Sequence, residues 1–191
     1  MRPHQRVVVA GGIGSGKSTV IGVLSELGWS VINADRVGQE VLTYPEVVEA
    51  VAARWPVAVT RGEVSRSALA KVVFADPGEL SALEGITHPR IVGRIERLVE
   101  RSAEPIAVEV SVLKVARPEW GPLIVVHAPR SVRRERALER GMVAADVEAR
   151  MASQPSDPEL LAVADVVIDN QGTTEDLVES TRRFDKWARS G

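Results

Sequence analysis

The 191-residue sequence contains no cysteine, which excludes disulfide bonds and thiolate metal sites. Its three histidines, His4, His88 and His127, are scattered along the chain, so a zinc site built from histidines is not expected. No apolar stretch approaches the roughly 20 residues that span a bilayer, and the segment before the first apolar run is too short for a secretory signal. We therefore expect a cytoplasmic protein with no membrane partner.

The chain also lacks a dominant charge and a rich set of aromatic residues. Its 24 basic and 26 acidic residues nearly cancel, so no global field recruits nucleic acid, and a small anionic ligand fits better. The four tryptophans are far apart and are expected to pack in the core rather than to stack bases. Hydrophobic residues make up 45% of the chain, enough for the core of a folded monomer or weak homo-oligomer.

Short apolar runs alternate with helical patterns over most of the chain. This alternation predicts a parallel sheet covered by helices on both faces. The predicted strands are Arg6–Ala10, Ser30–Asn33, Ile106–Val110, Leu123–His127 and Asp165–Asp169, and the predicted helices between and after them are 19–27, 131–140, 144–153 and 173–188.

Residues 36–102 interrupt the alternation, because only helical segments follow the second strand for about 70 residues. These segments lie near 45–54, 65–74, 79–87 and 89–101, with Pro89 expected to separate the last two. We predict a core formed by 1–35 and 103–191, with a helical insert over 36–102.

The sequence Gly11–Ser18 has the spacing Gly-x-x-x-x-Gly-Lys-Ser between a predicted strand and a predicted helix. Glycines in such a turn let backbone amides converge on phosphate oxygens at the N-terminus of the helix. Lys17 is expected to reach the β- and γ-phosphates of ATP, and the Ser18 hydroxyl to bind Mg²⁺. The alternative is a glycine-rich turn without a ligand. The predicted nucleotide-binding residues in this segment are Gly12, Gly14, Ser15, Gly16, Lys17, Ser18 and Thr19.

Two acidic residues follow predicted strands. Asp35 comes two residues after the second strand, where a carboxylate can accept a proton from an attacking hydroxyl, or can cap a helix that begins near Arg36. Glu109 ends the apolar run at 105–108 and either helps to hold the metal and its waters or is solvated at the strand edge.

Five arginines lie within residues 130–140, and Arg150 follows one helix later. Such a run is most often a solvated helix face. It can also form a lid, at about 130–155, that stabilises a transferred phosphoryl group and excludes water. Arg140, directly before Gly141, is the best candidate for this catalytic role.

The order of these motifs resembles the dephospho-coenzyme A kinase family. The resemblance is carried by the phosphate loop, by Asn33-Ala34-Asp35, Thr87-His88-Pro89, Arg140-Gly141 and Gln154, and by the run from Ala164 to Asn170. It implies a three-layer P-loop NTPase fold of the nucleotide kinase type, with a helical substrate-binding insert and a helical lid. It also implies ATP- and Mg²⁺-dependent phosphorylation of the ribose 3′-hydroxyl of dephospho-coenzyme A.

The resemblance further implies roles for individual residues. Asp35 corresponds to the base that faces the ribose hydroxyl, Arg140 to the lid arginine, and Asn170 to a residue near the adenine of ATP. The substrate contacts that it implies are Asp35, Arg66, His88, Glu109 and Leu113.

Three positions depart from the family pattern. Asn33 replaces the first aspartate of Asp-Ala-Asp, Glu109 replaces an aspartate, and Leu160 replaces a lysine. These departures leave two alternatives open. One is a P-loop kinase for another small alcohol or nucleotide, and the other is a nucleotide- or coenzyme A-binding protein with weakened catalysis.

Overall fold

The structure, a computed structural model, describes residues 5–190. His4 and the outermost ends of the predicted core, residues 1–4 and 191, lie outside this range. The chain separates into two compact units. One comprises residues 1–33 and 99–191, and the other residues 34–98.

The first unit contains a five-stranded parallel sheet, as the apolar runs predict. Its strands are β1 (Arg6–Ala10), β2 (Ser30–Asn33), β5 (Ile106–Glu109), β6 (Leu123–His127) and β7 (Val166–Asp169). The strands lie in the order β2-β5-β1-β6-β7. Their registers pair Asn33 with Glu109, and Glu109 with Val9, at the carboxyl edge of the sheet.

Helices cover this sheet, and their bounds are α1 (Lys17–Glu26), α6 (Arg130–Glu139), α7 (Ala144–Ala152), α8 (Asp157–Ala162) and α9 (Thr174–Ser190). The helix α8 is absent from the sequence prediction. Buried side chains of β1, α1 and α9 share one core, which includes Val7, Leu24 and Phe184. The indole nitrogen of Trp29 donates to Asp185 Oδ1 at 2.7 Å within this layer. Single-turn 3₁₀ segments lie at Leu113–Val115 and Pro118–Trp120 in this unit and at Pro56–Ala58 in the second.

The second unit is mainly helical and comprises α2 (Ala34–Val41), α3 (Pro45–Arg54), α4 (Arg66–Val73) and most of α5 (Pro77–Arg101). It also contains a two-stranded hairpin, β3 (Val59–Thr60) and β4 (Glu63–Val64), so the expectation of helices alone was wrong here. Among residues 5–190, no helix combines the length and the apolar character needed to cross a membrane.

Pro89 does not end a helix, contrary to the prediction, because α5 continues through it from Pro77 to Arg101. A proline ring lacks the N–H that would bond to the carbonyl four residues earlier. Side chains donate to two nearby carbonyls of the same helix. Thr87 Oγ1 bonds to the oxygen of Leu83 at 2.9 Å, and Arg90 Nη1 to that of Ile86 at 2.7 Å. Both carbonyls lie in the helix turns that precede the proline, where these side chains add to the bonding of the backbone.

Candidate active site

Two glycines of the loop between β1 and α1, Gly14 and Gly16, fit its backbone conformation and its close packing. Gly14 and Gly16 have φ angles of 75° and 95°, which L side chains rarely adopt. A Cβ atom at Gly14 would also collide with the backbone of Arg133, and one at Gly16 with the side-chain amide of Asn170. The loop therefore packs tightly against two neighbouring segments while its backbone turns into the start of α1.

This loop lines a cavity of about 240 Å³. The other lining residues are Ser111, Arg140, Arg150 and Gln154. Two arginines therefore border the same space as Lys17 and the N-terminus of α1, where partial positive charge accumulates. The Ser15 hydroxyl is buried and has no hydrogen-bond partner among the described residues. An anion with several oxygen acceptors, such as a polyphosphate, matches this collection of donors and cations.

Lys17 is held by Glu109 at the carboxyl edge of the sheet. Lys17 Nζ lies 2.7 Å from Glu109 Oε1, and Asn33 Nδ2 donates to the other oxygen, Oε2, at 2.6 Å. Both members of the ion pair are mostly buried. Glu109 is therefore in contact with Lys17 and is not simply a solvated residue at a strand edge. Ser18, at the second position of α1, is exposed and lines the cavity.

The arginine-rich helix α6 sends its side chains in different directions. Arg130 and Arg134 both pair with Glu148 of α7 on the exposed side, at 2.8 and 2.7 Å. Arg140 follows the last turn of α6 and reaches the phosphate-loop cavity, and Gly141 ends the helix with a φ of 81°. The solvated-face interpretation therefore holds for Arg130 and Arg134, whereas Arg140, although also exposed, lines the cavity.

The helices α6 and α7, which the sequence predicts to form a lid, pack on the phosphate loop. Ala137, Val147 and Met151 form a small buried cluster, and Ile13 of the loop packs against it. Gln154, just after α7, accepts a hydrogen bond from the Ile13 amide at 2.9 Å. This packing fixes the lid segment next to the cavity that its arginines line.

Asn170 follows β7 and is buried beside the loop. Its Nδ2 donates to the backbone oxygen of Ser15 at 2.8 Å, and Arg136 donates to its backbone oxygen at 3.1 Å. A second cavity of about 380 Å³ opens next to it and is bordered also by Gly16, Thr19 and Arg140. Asn170 thus supports the phosphate loop, and its place near the adenine of ATP stays a prediction.

Asp35 lies in the first turn of α2, in the second unit, and is exposed. The helix begins at Ala34, so the interpretation of Asp35 as the cap of a helix starting near Arg36 was wrong by two positions. In the same unit, Arg66 begins α4 and donates to Gln39 Oε1 at 3.1 Å, and half-buried His88 lies within α5. Leu113, in the first unit, begins the 3₁₀ turn after β5 and is half-buried.

Sequence reasoning missed some residues that the structure places at the site. Ser111 borders the cavity. Arg133 donates to the backbone oxygen of Ile13 in the loop, and Arg136 donates to that of Asn170. The three-residue spacing of Arg130, Arg133 and Arg136 indicated a shared helix face, but not the partner of each side chain. Leu160, where a lysine was expected, is buried and lines a small cavity with Gly11 and Gly12.

A glycine-rich loop after the first strand of a parallel sheet, with arginines delivered to its cavity by a helical lid, is the arrangement of a P-loop kinase. The sequence profile of the dephospho-CoA kinase family matches residues 6–176 of this chain. The dephospho-CoA kinase of Deinococcus radiodurans is 38% identical over 180 residues, covering 91% of this chain and 87% of that protein. The chain belongs to the dephospho-CoA kinase family.

Solved structures agree with this assignment of the fold. The crystal structure of TT1252 from Thermus thermophilus superposes with a TM-score of 0.84 at 31% identity, covering 97% of both chains. The dephospho-CoA kinase from Campylobacter jejuni has the same fold, with a TM-score of 0.74 at 23% identity, covering 97% of this chain and 98% of that one. The predicted parallel P-loop kinase fold is confirmed.

Proposed function

We propose that the chain transfers the γ-phosphoryl group of ATP to the 3′-hydroxyl on the ribose of dephospho-CoA. Family membership supports the class of reaction and the acceptor. The observation that carries the proposal is the cavity at the phosphate loop, in which Lys17, Arg140 and Arg150 face the space where a triphosphate would lie. ADP and the 3′-phosphorylated product, coenzyme A, leave the enzyme.

The phosphate loop and its cations carry the donor side of the reaction. Amides at the start of α1 bind phosphate oxygens, and Lys17 neutralises the β- and γ-phosphates. Arg140 stabilises the charge that develops as the bond from the γ-phosphorus to the β–γ bridging oxygen breaks. Arg150 borders the same cavity and adds a second guanidinium.

A magnesium ion fits the residues near Lys17. Mg²⁺ prefers oxygen ligands and is bound at such sites mainly through phosphates, waters and one protein hydroxyl. Ser18 supplies an exposed hydroxyl at the cavity, and Glu109 supplies a carboxylate close to Lys17. No group of three histidine, cysteine or acidic side chains suited to a metal occurs in residues 5–190, so a site that relies on phosphate oxygens is the arrangement to expect. The ion, when bound, would neutralise phosphate charge.

Asp35 is proposed as the base on the acceptor side. A carboxylate in this role accepts the 3′-hydroxyl proton as the new bond forms between the ribose oxygen and phosphorus. Asp35 lies in the first turn of α2 and is exposed, so its carboxylate is accessible to an acceptor hydroxyl. Arg66, His88, Glu109 and Leu113 are proposed contacts of the acceptor.

The lid is expected to keep water away from the γ-phosphate, since water would otherwise compete with the ribose hydroxyl. Its packing on Ile13 and the hydrogen bond from Ile13 to Gln154 support a lid that already lies against the loop. The cytoplasmic location and the monomeric or weakly oligomeric state belong to this proposal as predictions from the sequence.

A coupled assay of ADP release, run with and without dephospho-CoA, tests the proposal. We expect ADP release only when the acceptor is present, with mass analysis showing one phosphate added at the ribose 3′ position. Phosphorylation of another small alcohol or nucleotide, in place of dephospho-CoA, would contradict the proposed acceptor. Stabilisation of the protein by ATP without any transfer would instead indicate a binding protein.

A further inference from the structure

We propose that Arg133 is a positioning residue, which holds the phosphate loop in its anion-binding shape and is itself held by Asp157. The proposal deepens the function above, because it rests on the assignment of this loop to the triphosphate. Arg133 is only 5% exposed, although its neighbour on the same helix, Arg134, is exposed. A buried guanidinium needs partners that repay the cost of removing it from water.

Every nitrogen of the Arg133 guanidinium has an acceptor. Nε donates to the backbone oxygen of Ala128 at 2.9 Å, and Nη2 lies 2.5 Å from Asp157 Oδ1. The remaining nitrogen, Nη1, approaches the backbone oxygen of Ile13, in the phosphate loop, at 3.5 Å. The side chain thus connects the end of β6, the start of α8 and the phosphate loop.

The loop is fitted closely to this arginine. A Cβ atom at Gly12 would collide with Nη1 of Arg133, and one at Gly14 would collide with the backbone oxygen of Arg133. A side chain at Gly14 would meet the backbone of residue 133, and a side chain at Gly12 would displace the Arg133 guanidinium from the loop.

The contacts at Ile13 explain how Arg133 would favour anion binding. An anion site made of backbone needs its N–H groups turned inward and its carbonyls turned away. The guanidinium attracts the Ile13 carbonyl, while Gln154 accepts from the Ile13 amide at 2.9 Å. Side chains thus contact both backbone polar groups of Ile13. The loop is therefore already ordered before a triphosphate binds, which lowers the entropic cost of binding.

Asp157 is placed for its role by a local sequence signal. The Ser156 hydroxyl caps α8 by accepting from the Glu159 amide, and the Glu159 side chain accepts from the Ser156 amide. This capping box makes Asp157 the first residue of α8 and fixes its carboxylate beside Arg133. Removing the carboxylate alone would leave a buried charge without its counter-ion.

The test compares Arg133→Gln, Asp157→Asn and the double variant, with Arg134→Gln as the matched control on the same helix. The double variant is informative because it removes both charges together, so it avoids an unpaired buried ion and is the variant best placed to fold. For each protein, calorimetry gives the Kd of ATP·Mg²⁺, steady-state kinetics give KM and kcat, and thermal unfolding gives Tm.

We expect the double variant to bind ATP·Mg²⁺ about tenfold or more weakly, as for the loss of a hydrogen bond from a charged donor. The KM for dephospho-CoA should stay within about twofold, and Arg134→Gln should match the wild type. Arg133→Lys keeps the charge but lacks the planar fork that reaches three acceptors, so it should not restore ATP affinity.

A purely structural role makes a different prediction. A purely structural role would lower the Tm of Arg133→Gln and of the double variant. The Kd of ATP would then stay unchanged in each variant that folds, and that result would overturn the proposal. If neither of these proteins folds, Asp157→Asn decides by the same comparison. The wild-type protein could transfer no phosphate while the variants still bind ATP more weakly than it does. That result would support the role of Arg133 and reject the proposed function.

Discussion

At the scale of single residues, two departures from the family pattern lie in contact with each other. Asn33 and Glu109 are register partners on β2 and β5, and the Asn33 amide donates to Glu109 at 2.6 Å. An aspartate at position 33 would place two carboxylates within hydrogen-bond distance, which disfavours the ionisation of one of them. The neutral amide at position 33 is therefore compatible with a longer carboxylate at position 109 that pairs with Lys17.

Asn33→Asp is the first prediction that follows from this contact. We expect the KM for ATP to rise about five- to tenfold, because an added carboxylate competes for Lys17 and repels the triphosphate. Steady-state kinetics in the wild-type and Glu109→Gln backgrounds measure the coupling. The effect should be much smaller in the Glu109→Gln background, and equal effects in both would show that the two residues act independently.

Substitutions of Lys17 and Asp35 are predicted to impair different steps, ATP binding and phosphoryl transfer. Lys17→Ala should weaken ATP binding and lower kcat at least about 100-fold, since it removes a cation from the transferring phosphates. Asp35→Asn should lower kcat by about 100- to 10,000-fold and leave the Kd of ATP within about twofold, because only the proton acceptor is lost. Calorimetry and single-turnover kinetics separate binding from transfer. Asp76→Asn, in the same unit as Asp35, is the control, and near-normal turnover by Asp35→Asn would remove the base assignment.

At the scale of elements, the apolar sequence runs predicted the strands of the parallel sheet but not the short strands of the hairpin. The strand bounds of β1, β2 and β6 match their apolar runs, because buried parallel strands are apolar on both faces. The hairpin of β3 and β4 has only two residues in each strand, and its turn depends on left-handed Arg61 and Gly62. Two-residue strands carry no periodicity, so a sequence pattern does not reveal them.

The arginine run of α6 shows the same limit within a site. Composition and helical spacing predict a charged helix, and Arg140 was identified from its place before a glycine. The partners of Arg133 and Arg136 lie more than 20 residues away in sequence, in Asp157 and Asn170. Such pairs depend on how β6, β7 and α8 assemble, which local patterns do not encode.

The second unit offers a prediction at this scale, because Glu79 joins α3 to α5. Arg54 donates two bonds to the Glu79 carboxylate, both at 2.9 Å, and the indole of Trp55 donates a third at 2.6 Å. The hydrogen bonds from Arg54, then from Trp55, lower the pKa of Glu79 from its ordinary value. A lowered folded-state pKa gives stability that is present above the unfolded pKa of about 4.3 and lost as pH falls through the folded value.

Glu79→Gln should therefore unfold at a lower temperature than the wild type at pH 7, by a small amount because the pair is solvent-exposed. The difference should narrow as the pH falls below about 4.3. Thermal unfolding followed by circular dichroism from pH 7 to the lowest pH at which unfolding is reversible gives both curves. Glu96→Gln, an exposed glutamate on the same helix, is the control. A gap that stays constant over this range would mean that ionisation of Glu79 does not contribute.

At the scale of the whole molecule, the chain divides its predicted tasks between two compact units. Residues 1–33 and 99–191 contain the sheet, the phosphate loop and the lid, whereas residues 34–98 contain Asp35, Arg66 and His88. From the loss of strand signals after residue 35, the sequence predicts a helical insert at 36–102, and the second unit spans residues 34–98. The sequence did not predict the strand order, because the place of β5 between β2 and β1 is decided by contacts distant in sequence.

This division predicts which amides each ligand protects from hydrogen exchange. ATP·Mg²⁺ alone should protect the phosphate loop, residues 11–18, and the lid, because both border the cavity at Lys17. Dephospho-CoA alone should protect amides within 34–98 and around 109–115, where the proposed acceptor contacts lie. Exchange followed by mass spectrometry on the full chain measures both patterns, and Lys17→Ala is the control that should lose only the ATP pattern. Protection by dephospho-CoA confined to the first unit would show that the helical unit does not bind the acceptor, and Arg66 and His88 would then lose their proposed roles.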